Sequence, residues 1–298
     1  MIKWGIDLGG TKIEGIVIDT AANNKILART RISTESHRGY HHILLQIKKL
    51  VALLSDTCGL KPEKIGIGTP GSIFPPTGHL KNSNSLQLND QPLLADLQNL
   101  MQVPIKMAND ANCFALAESQ IGIVQEIAPE ANVVFGVIMG TGVGGGLIVN
   151  GDLLNGANGI GGEWGHNFLH ESGGPCYCGK TGCVETMISG PALERFYSQY
   201  ANNPKPLQTI IADRQTDPLA KETTNRLIHY FGVGISTIIN MIDPDVIVIG
   251  GGVGNIDLLY TKGIEEIKKH VFNPACTTQI LKPKLGDSAG VFGAAFLV

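Results

Sequence analysis

This sequence predicts an α/β fold of two related domains, with a small cysteine-rich loop in the second. Three observations carry that reading. Short apolar strands alternate with helical segments along the chain, the pattern of an α/β fold. One strand-and-turn pattern occurs twice, with Gly5-Ile6-Asp7-Leu8-Gly9-Gly10-Thr11 lining up against Gly136-Val137-Ile138-Met139-Gly140-Thr141-Gly142. The chain's 298 residues are enough for two hydrophobic cores. The repeat implies two domains facing each other, each opening with a hairpin.

Lys3 to Asp7 reads as a buried strand broken by Gly9-Gly10, with further strands over Ile13 to Asp19 and Ile26 to Ile32. A helix is predicted from Tyr40 to Ser55, because Ile43, Leu44, Ile47, Leu50, Val51 and Leu54 recur at spacings of three and four. Lys64 to Gly68 is a strand ending in the Thr69-Pro70-Gly71 turn. Ser72 to Pro92 has neither period and reads as a long polar loop, a kind of segment that is often functional. Pro92 starts a helix over Leu93 to Met101. The strand Ile105 to Ala108 delivers Asn109-Asp110 to its end, where Asp110 can cap a helix from Ala111 to Ile121.

At Val133 the pattern restarts, with Leu147 to Val149 as the later copy's second strand. Helices follow from Pro191, near Leu207, over Pro218 to Met241 and over Leu258 to His270. Val246 to Ile249 is a β-branched strand running into Gly250-Gly251-Gly252. A strand over Gln279 to Pro283 and a small-residue helix from Ala289 end the sequence.

The formal charge of −3 and the absence of a basic run give no footing for nucleic acid or an anionic membrane. The apolar stretches are far shorter than the roughly 20 residues a bilayer span needs. MIKWGIDLGG lacks the regions of a signal peptide, so a cytoplasmic location is expected, where clustered cysteines favour metal over disulfides.

Three glycine turns end buried strands: Gly9-Gly10-Thr11-Lys12, Gly140-Thr141-Gly142 and Gly250-Gly251-Gly252. Glycine lets backbone amides approach phosphate oxygens, and threonine adds a hydroxyl donor. One such turn alone is more often only a turn; three, two of them in matching positions of a repeat, point to phosphate. Two formal motif matches mislead. Gly140 to Gly145 fits G-x-G-x-x-G, but a strand follows where a dinucleotide site needs a helix. Gly174 to Thr181 fits the P-loop pattern, yet no strand precedes it and Pro175 removes an amide.

Cys176, Cys178 and Cys183 are three of the six cysteines, packed into eight residues, with His166 ten positions before the first. Thiolate and imidazole suit a tetrahedral Zn²⁺ site with no open position. H-x9-C-x-C-x4-C is not a common zinc-finger spacing, and three reduced cysteines beside an unrelated histidine fit it as well. Glu163 and Glu185 flank the cluster; alone, each reads as a solvated surface acid.

DLGGTK at Asp7 to Lys12, TPG at Thr69 to Gly71, NDAN at Asn109 to Asn112, GTGVGGG from Gly140, GGEWGH at Gly161 to His166, CYCGKTGCVE at Cys176 to Glu185 and DPDVIVIGGG at Asp243 to Gly252 together resemble the ROK family of sugar kinases, within the hexokinase, actin and Hsp70-like superfamily. The resemblance covers essentially the whole chain. It implies two ribonuclease-H-like α/β domains with a cleft between them: residues 1–110, with a terminal helix at 288–298 packing back on them, and residues 111–287 with the zinc site. It implies ATP in that cleft, with phosphates at Gly9, Gly10, Thr11, Lys12, Gly140, Thr141 and Gly142, adenosine near Gly250, Gly251 and Gly252, and Mg²⁺ at Asp7. Structural Zn²⁺ would sit on His166, Cys176, Cys178 and Cys183.

The same resemblance assigns the sugar to Asn109, Asp110, Glu163, His166 and Glu185, with Asn84 as a further candidate, and makes Asp110 the general base. One ring nitrogen of His166 would bind zinc while the other points toward the sugar. GSIFPPTGHLKNSNS, GEWGHN and GDSAGVFGAA look most like bacterial fructokinases and mannokinases, so the expected reaction is ATP-dependent 6-phosphorylation of fructose or mannose. The alternative within the family is an N-acetylglucosamine, N-acetylmannosamine or glucose kinase; a sugar sensor without turnover is the reading from another class. Family members are commonly homodimers.

Overall fold

Where the sequence restarts at Val133, the fold restarts as well. The computed structural model, which describes residues 1–298, divides into two units. One comprises Met1–Gln125, Asp152–Gly161 and Leu285–Val298, the other Glu126–Gly151 and Gly162–Lys284.

In the first unit β1 (Ile2–Leu8), β2 (Lys12–Asp19) and β3 (Lys25–Ser33) form an antiparallel meander. The predicted stripe of α1 (Tyr40–Cys58) is its buried face, and Gly59 ends it in the left-handed conformation that glycine adopts without strain. β4 (Ile65–Thr69) then returns parallel to β1. The stretch expected to be an unstructured loop contains a short hairpin, β5 (Ser72–Phe74) and β6 (His79–Lys81), and a 3₁₀ turn at Leu86–Leu88. Its strands are three residues each, too short for an alternating pattern to register, and Pro75-Pro76 mask them further. After α2 (Leu93–Met101), β7 (Ile105–Asn109) completes the order β3-β2-β1-β4-β7.

α3 (Asp110–Gln120) is buried on nearly every side, from Ala111 to Ser119. Its buried residues include the polar Asn112, Glu118 and Ser119, so the neighbours that enclose it, and not an apolar face, account for its burial. It packs against the chain's last helix, Ala289–Phe296, which also lies on β1 and β4. The approach is close: a Cβ on Gly66 would lie 1.7 Å from the Ala294 carbonyl oxygen, and one on Gly293 would lie 1.8 Å from that of Cys113. The division expected at 110/111 therefore falls elsewhere, because α3 and Asp152–Gly161 both group with the first unit.

The second unit repeats the plan. After α4 (Ile123–Ile127), β8 (Val133–Met139) and β9 (Val143–Val149) form the antiparallel hairpin that the repeat predicts, with β9 longer than the three residues expected. Asp152–Leu153, in the stretch that groups with the first unit, forms the two-residue β10. The helices are α5 (Val184–Ile188), α6 (Gly190–Tyr200), α7 (Leu207–Asp213) and the long α8 (Pro218–Ile242). α8 starts where Asp217 caps Leu219 and Ala220 and Pro218 occupies the first turn, and it ends at left-handed Asp243 before Pro244. β11 (Val246–Gly250) lies parallel to β8 and continues into the one-turn α9 (Gly251–Gly254). The helix expected over Leu258 to His270 is broken at Thr261, so that a 3₁₀ turn at Asp257–Tyr260 precedes α10 (Lys262–His270). β12 (Gln279–Leu281) pairs with β11, giving β9-β8-β11-β12. No helix is long and apolar enough to cross a membrane.

Gly66→Ala forces its methyl group onto the backbone of the last helix, which no rotamer change can relieve. It should lower the stability of the first unit by about 2–3 kcal/mol, the upper range for overpacking, measured by chemical denaturation. An unchanged denaturation midpoint would show that this helix is free to shift.

Candidate active site

The first unit brings Asp7 and Asp110 into electrostatic reach of each other. Asp7 lies in β1, and the space beside it is kept by glycine: a Cβ on Gly290 would lie 2.9 Å from its carboxylate, and one on Gly68 would lie 3.7 Å away. Burial raises the Asp7 pKa to about 6, with further upward pushes from Asp110 and Glu14 and a downward one from Arg31. Glu14 is itself buried, which would raise its pKa, but hydrogen bonds from the Arg31 and Arg29 guanidinium groups outweigh that and hold it low. The preceding turn is a tight one. The Gly9 amide donates to the Lys12 carbonyl at 3.0 Å, and the Thr34 hydroxyl to the Gly9 carbonyl at 2.7 Å. Gly10, Thr11 and Lys12 face solvent.

Asp110 is not the helix cap. Asn109 takes that place, its Oδ1 accepting from the Asn112 amide at 2.8 Å, while Asp110 is the first helical residue and accepts from the Ala111 amide at 2.9 Å. Asn and Asp are equally good caps, so the sequence left this one-residue offset open. Solvent reaches the Asp110 side chain. Even so, the protein packed around it strips away enough hydration to raise its pKa, against the opposing pull of the Ala111 amide and its own. Asn84 is exposed, between buried Ser83 and Ser85. The residue that reaches the first glycine turn is Ser85, whose Oγ would lie 3.2 Å from a Cβ on Gly10. No sequence signal distinguished it from its neighbours.

In the second unit the cysteine stretch folds as a ribbon. Phe168 bridges to Cys183 and Pro175 to Thr181, the Val184 amide donates to Asn167, and the Cys176 amide donates to Lys180. With the Cys176 and Gly179 amides engaged inside the ribbon, this is no phosphate loop. One ligand atom from each of His166, Cys176, Cys178 and Cys183 lies within 4.8 Å of all the others. Cys176 Sγ is 3.6 Å from His166 Nδ1, and the Cys178 and Cys183 sulfurs are 3.6 Å apart. Zn–S bonds of about 2.3 Å in a tetrahedron put ligand atoms about 3.7 Å from one another, so the donor set fits a closed zinc site. The other ring nitrogen of His166 is not free for a ligand as expected. Tyr177 Oη holds Nε2 at 3.0 Å, a partner that fixes the ring's orientation.

Trp164 positions the segment carrying Glu163 and His166. Its indole is buried edge-on to Phe135 and donates to the Gly144 carbonyl at 3.0 Å. Glu185 stands in the first turn of α5, and its Oε2 accepts from the Val143 amide at 2.9 Å. A Cβ on Gly142 would lie 2.7 Å from that oxygen, so Glu185 also buttresses the second glycine turn. The third glycine turn meets a pocket of about 460 Å³, which includes Gly252, Leu207, Ile211, Arg214 and Asn255 among its walls. The sequence pointed to Gly252 but not to the α7 residues, which nothing in their local pattern marks.

A model of the ROK family matches residues 3–298. An N-acetyl-D-glucosamine kinase of Yersinia pseudotuberculosis is 38% identical over 309 aligned positions, covering 99% of this chain and 98% of that one. Among solved structures, the ROK hexokinase of Thermus thermophilus matches with a TM-score of 0.88 at 30% identity, covering 99% of this chain and 97% of that one. A ROK family glucokinase of Streptomyces griseus, in complex with glucose and AMPPNP, matches with a TM-score of 0.78 at 28% identity, covering 100% and 99%. All three of these relatives are sugar kinases. The chain belongs to the ROK family.

Asp7 generates a prediction about stability. Its pKa is higher folded than unfolded, so the native state holds that proton more tightly, and ionisation opposes folding as pH rises from 3.8 to about 6. Asp7→Asn should remove that loss and make the ligand-free protein more stable than wild type at pH 7, by about 1–3 kcal/mol. Melting temperatures of both proteins between pH 4.5 and 7.5 measure this; a variant less stable than wild type at pH 7 contradicts it.

Proposed function

We propose that this ROK-family sugar kinase transfers the γ-phosphoryl group of ATP to the 6-hydroxyl of N-acetylglucosamine. The observation that carries the kinase reading is Asp110, a solvent-reachable carboxylate at the start of an otherwise buried helix, made more basic by its surroundings. A base is most effective when its pKa approaches the working pH. Asp110 accepts the proton of the hydroxyl as that oxygen attacks phosphorus, and the bond from phosphorus to the leaving ADP oxygen breaks. Phosphoryl transfer otherwise needs positioning and charge stabilisation. Asp7, in its glycine-lined space, is the residue to hold Mg²⁺. When bound, that ion would neutralise charge on the phosphate oxygens. The turns Gly9–Lys12 and Gly140–Gly142 offer amides and hydroxyls to the phosphates, and the pocket at Gly252 takes adenosine.

The choice of sugar rests on the full-length likeness to N-acetyl-D-glucosamine kinases. It favours the alternative within the family over fructose and mannose, to which GSIFPPTGHLKNSNS points by resemblance. Glu163 is proposed to meet the sugar on the wall that Trp164 and the cysteine ribbon hold, with both ring nitrogens of His166 engaged by Cys176 and Tyr177. Glu185 joins it with the oxygen not committed to Val143. The ribbon's four ligands would hold zinc as a staple, and the metal would shape the site without taking part in the transfer. A glucose kinase is the second reading, favoured by the likeness to the glucokinase with bound glucose.

A coupled ADP-release assay over hexoses and N-acetylhexosamines should give the highest kcat/KM for N-acetylglucosamine, by at least about tenfold over fructose, mannose and glucose. A higher value for another sugar changes the substrate, and no turnover with any sugar ends the kinase reading. Asp110→Asn should lower kcat by about 100-fold or more while leaving the sugar KM within a few-fold of wild type. Removing zinc by chelation, or Cys178→Ser, should raise the sugar KM by about tenfold or more with a smaller effect on kcat. An unchanged KM in the metal-free protein would detach the ribbon from the sugar.

A further inference from the structure

A second convergence of metal-ligating side chains lies on the α8–α10 pair, away from the cysteine ribbon in sequence. His229 Nδ1 is 2.8 Å and His270 Nε2 is 3.2 Å from the same oxygen of Glu266, Oε1. One ligand atom from each of the three residues lies within 4.8 Å of the other two. Glu266 and His270 are four residues apart on one face of α10, and His229 comes from the neighbouring helix.

The scaffold under this cluster is closely packed. α8 and α10 touch through glycine: a Cβ on Gly232 would lie 2.4 Å from Glu266 Cγ, and one on Gly263 would lie 2.9 Å from the Phe231 ring. The Glu266 side chain is only 14% exposed, whereas His229 and His270 are 50% and 32% exposed, so the carboxylate is fixed and the imidazoles are open to an incoming ion. Lys269 Nζ holds the other carboxylate oxygen, Oε2, at 2.6 Å. That contact orients the group and leaves Oε1 as the point on which both rings converge, the kind of supporting bond that tunes metal ligands.

We propose that His229, Glu266 and His270 form a second metal site, for a borderline divalent cation such as Zn²⁺ or Co²⁺. Two imidazoles and a carboxylate are nitrogen and oxygen donors that such ions accept, and calcium or magnesium would require more oxygens. Bonds of about 2.1 Å place tetrahedral ligand atoms about 3.4 Å apart, close to the spacing already present. Binding replaces the imidazole protons that now face Oε1. Three protein ligands leave a position for water, so this site exchanges its ion more readily than the closed cysteine set, and it ties α8 to α10.

Zn²⁺ titration by calorimetry, with elemental analysis after dialysis, tests the assignment on the whole protein. Wild type should bind one equivalent more than the His229→Ala/His270→Ala variant, with a Kd of about 10 µM or tighter. With the cysteine ribbon already loaded, further Zn²⁺ should raise the melting temperature of wild type and not that of the double variant. The equivalent held by the cysteine ribbon should remain in that variant and be lost in Cys178→Ser, so the two sites are counted separately. Equal zinc content in wild type and the double variant, or a site filled only at millimolar zinc, overturns the proposal. Kinase activity does not enter the readout.

Discussion

The first unit is built around a carboxylate that its own surroundings resist ionising. Asp7 sits in the central strand of a sheet, short of water and near the negative charges of Asp110 and Glu14. Filling the adjacent space with side chains would be the stable solution, since close-packed interiors are the rule. The chain instead places glycine at Gly68 and Gly290, and the space beside Asp7 stays open. The same use of glycine at Gly66 and Gly293 draws the last helix onto the strands and onto α3. That helix arrives from the end of the sequence, so the environment of Asp7 is set by residues almost the full chain length away. Sites that store electrostatic strain in this way are where function is concentrated.

In the second unit the equivalent work is done by packing and by backbone. Trp164 is buried on β9, and the residues on either side of it, Glu163 and His166, inherit their positions from it. Glu185 spans two features that the sequence treats as separate, because it follows the last cysteine and accepts a hydrogen bond from Val143, the residue after the second glycine turn. A change in the ribbon therefore has a direct route to that turn through one short helix. The ribbon's cross-bridges are few, and its outer residues Tyr177 and Cys178 are exposed. A staple is what such a segment needs to hold one shape, and the four converging ligands supply the means.

How much of this was legible follows from the range of each interaction. The strands, the α1 stripe and the duplicated hairpin are written in local periodicity, and they stand where the pattern put them. The cysteine ribbon was legible because its ligands are close in sequence. The hairpin in 72–92 was not, since three-residue strands carry no usable period. Nor was the grouping of α3 with the first unit, which depends on contact with a helix some 180 residues later. Ser85, Tyr177 and the α7 wall of the pocket at Gly252 were silent for the same reason. Each is an ordinary residue locally and acquires a role only through its neighbours in space.

Asn109, and not Asp110, takes the helix cap that the sequence offered to Asp110. The sequence allows Asp110 to be both cap and base, two functions that compete for the same oxygens. A capping carboxylate spends its lone pairs on amides and becomes a weaker base. With Asn109 as the cap, Asp110 is bonded only at its own end of the helix, and its basicity is set by desolvation. The amide does the structural work and leaves the acid for the proton transfer proposed for it. On that proposal, replacing Asp110 by its amide would copy its shape while removing the basicity that the transfer needs.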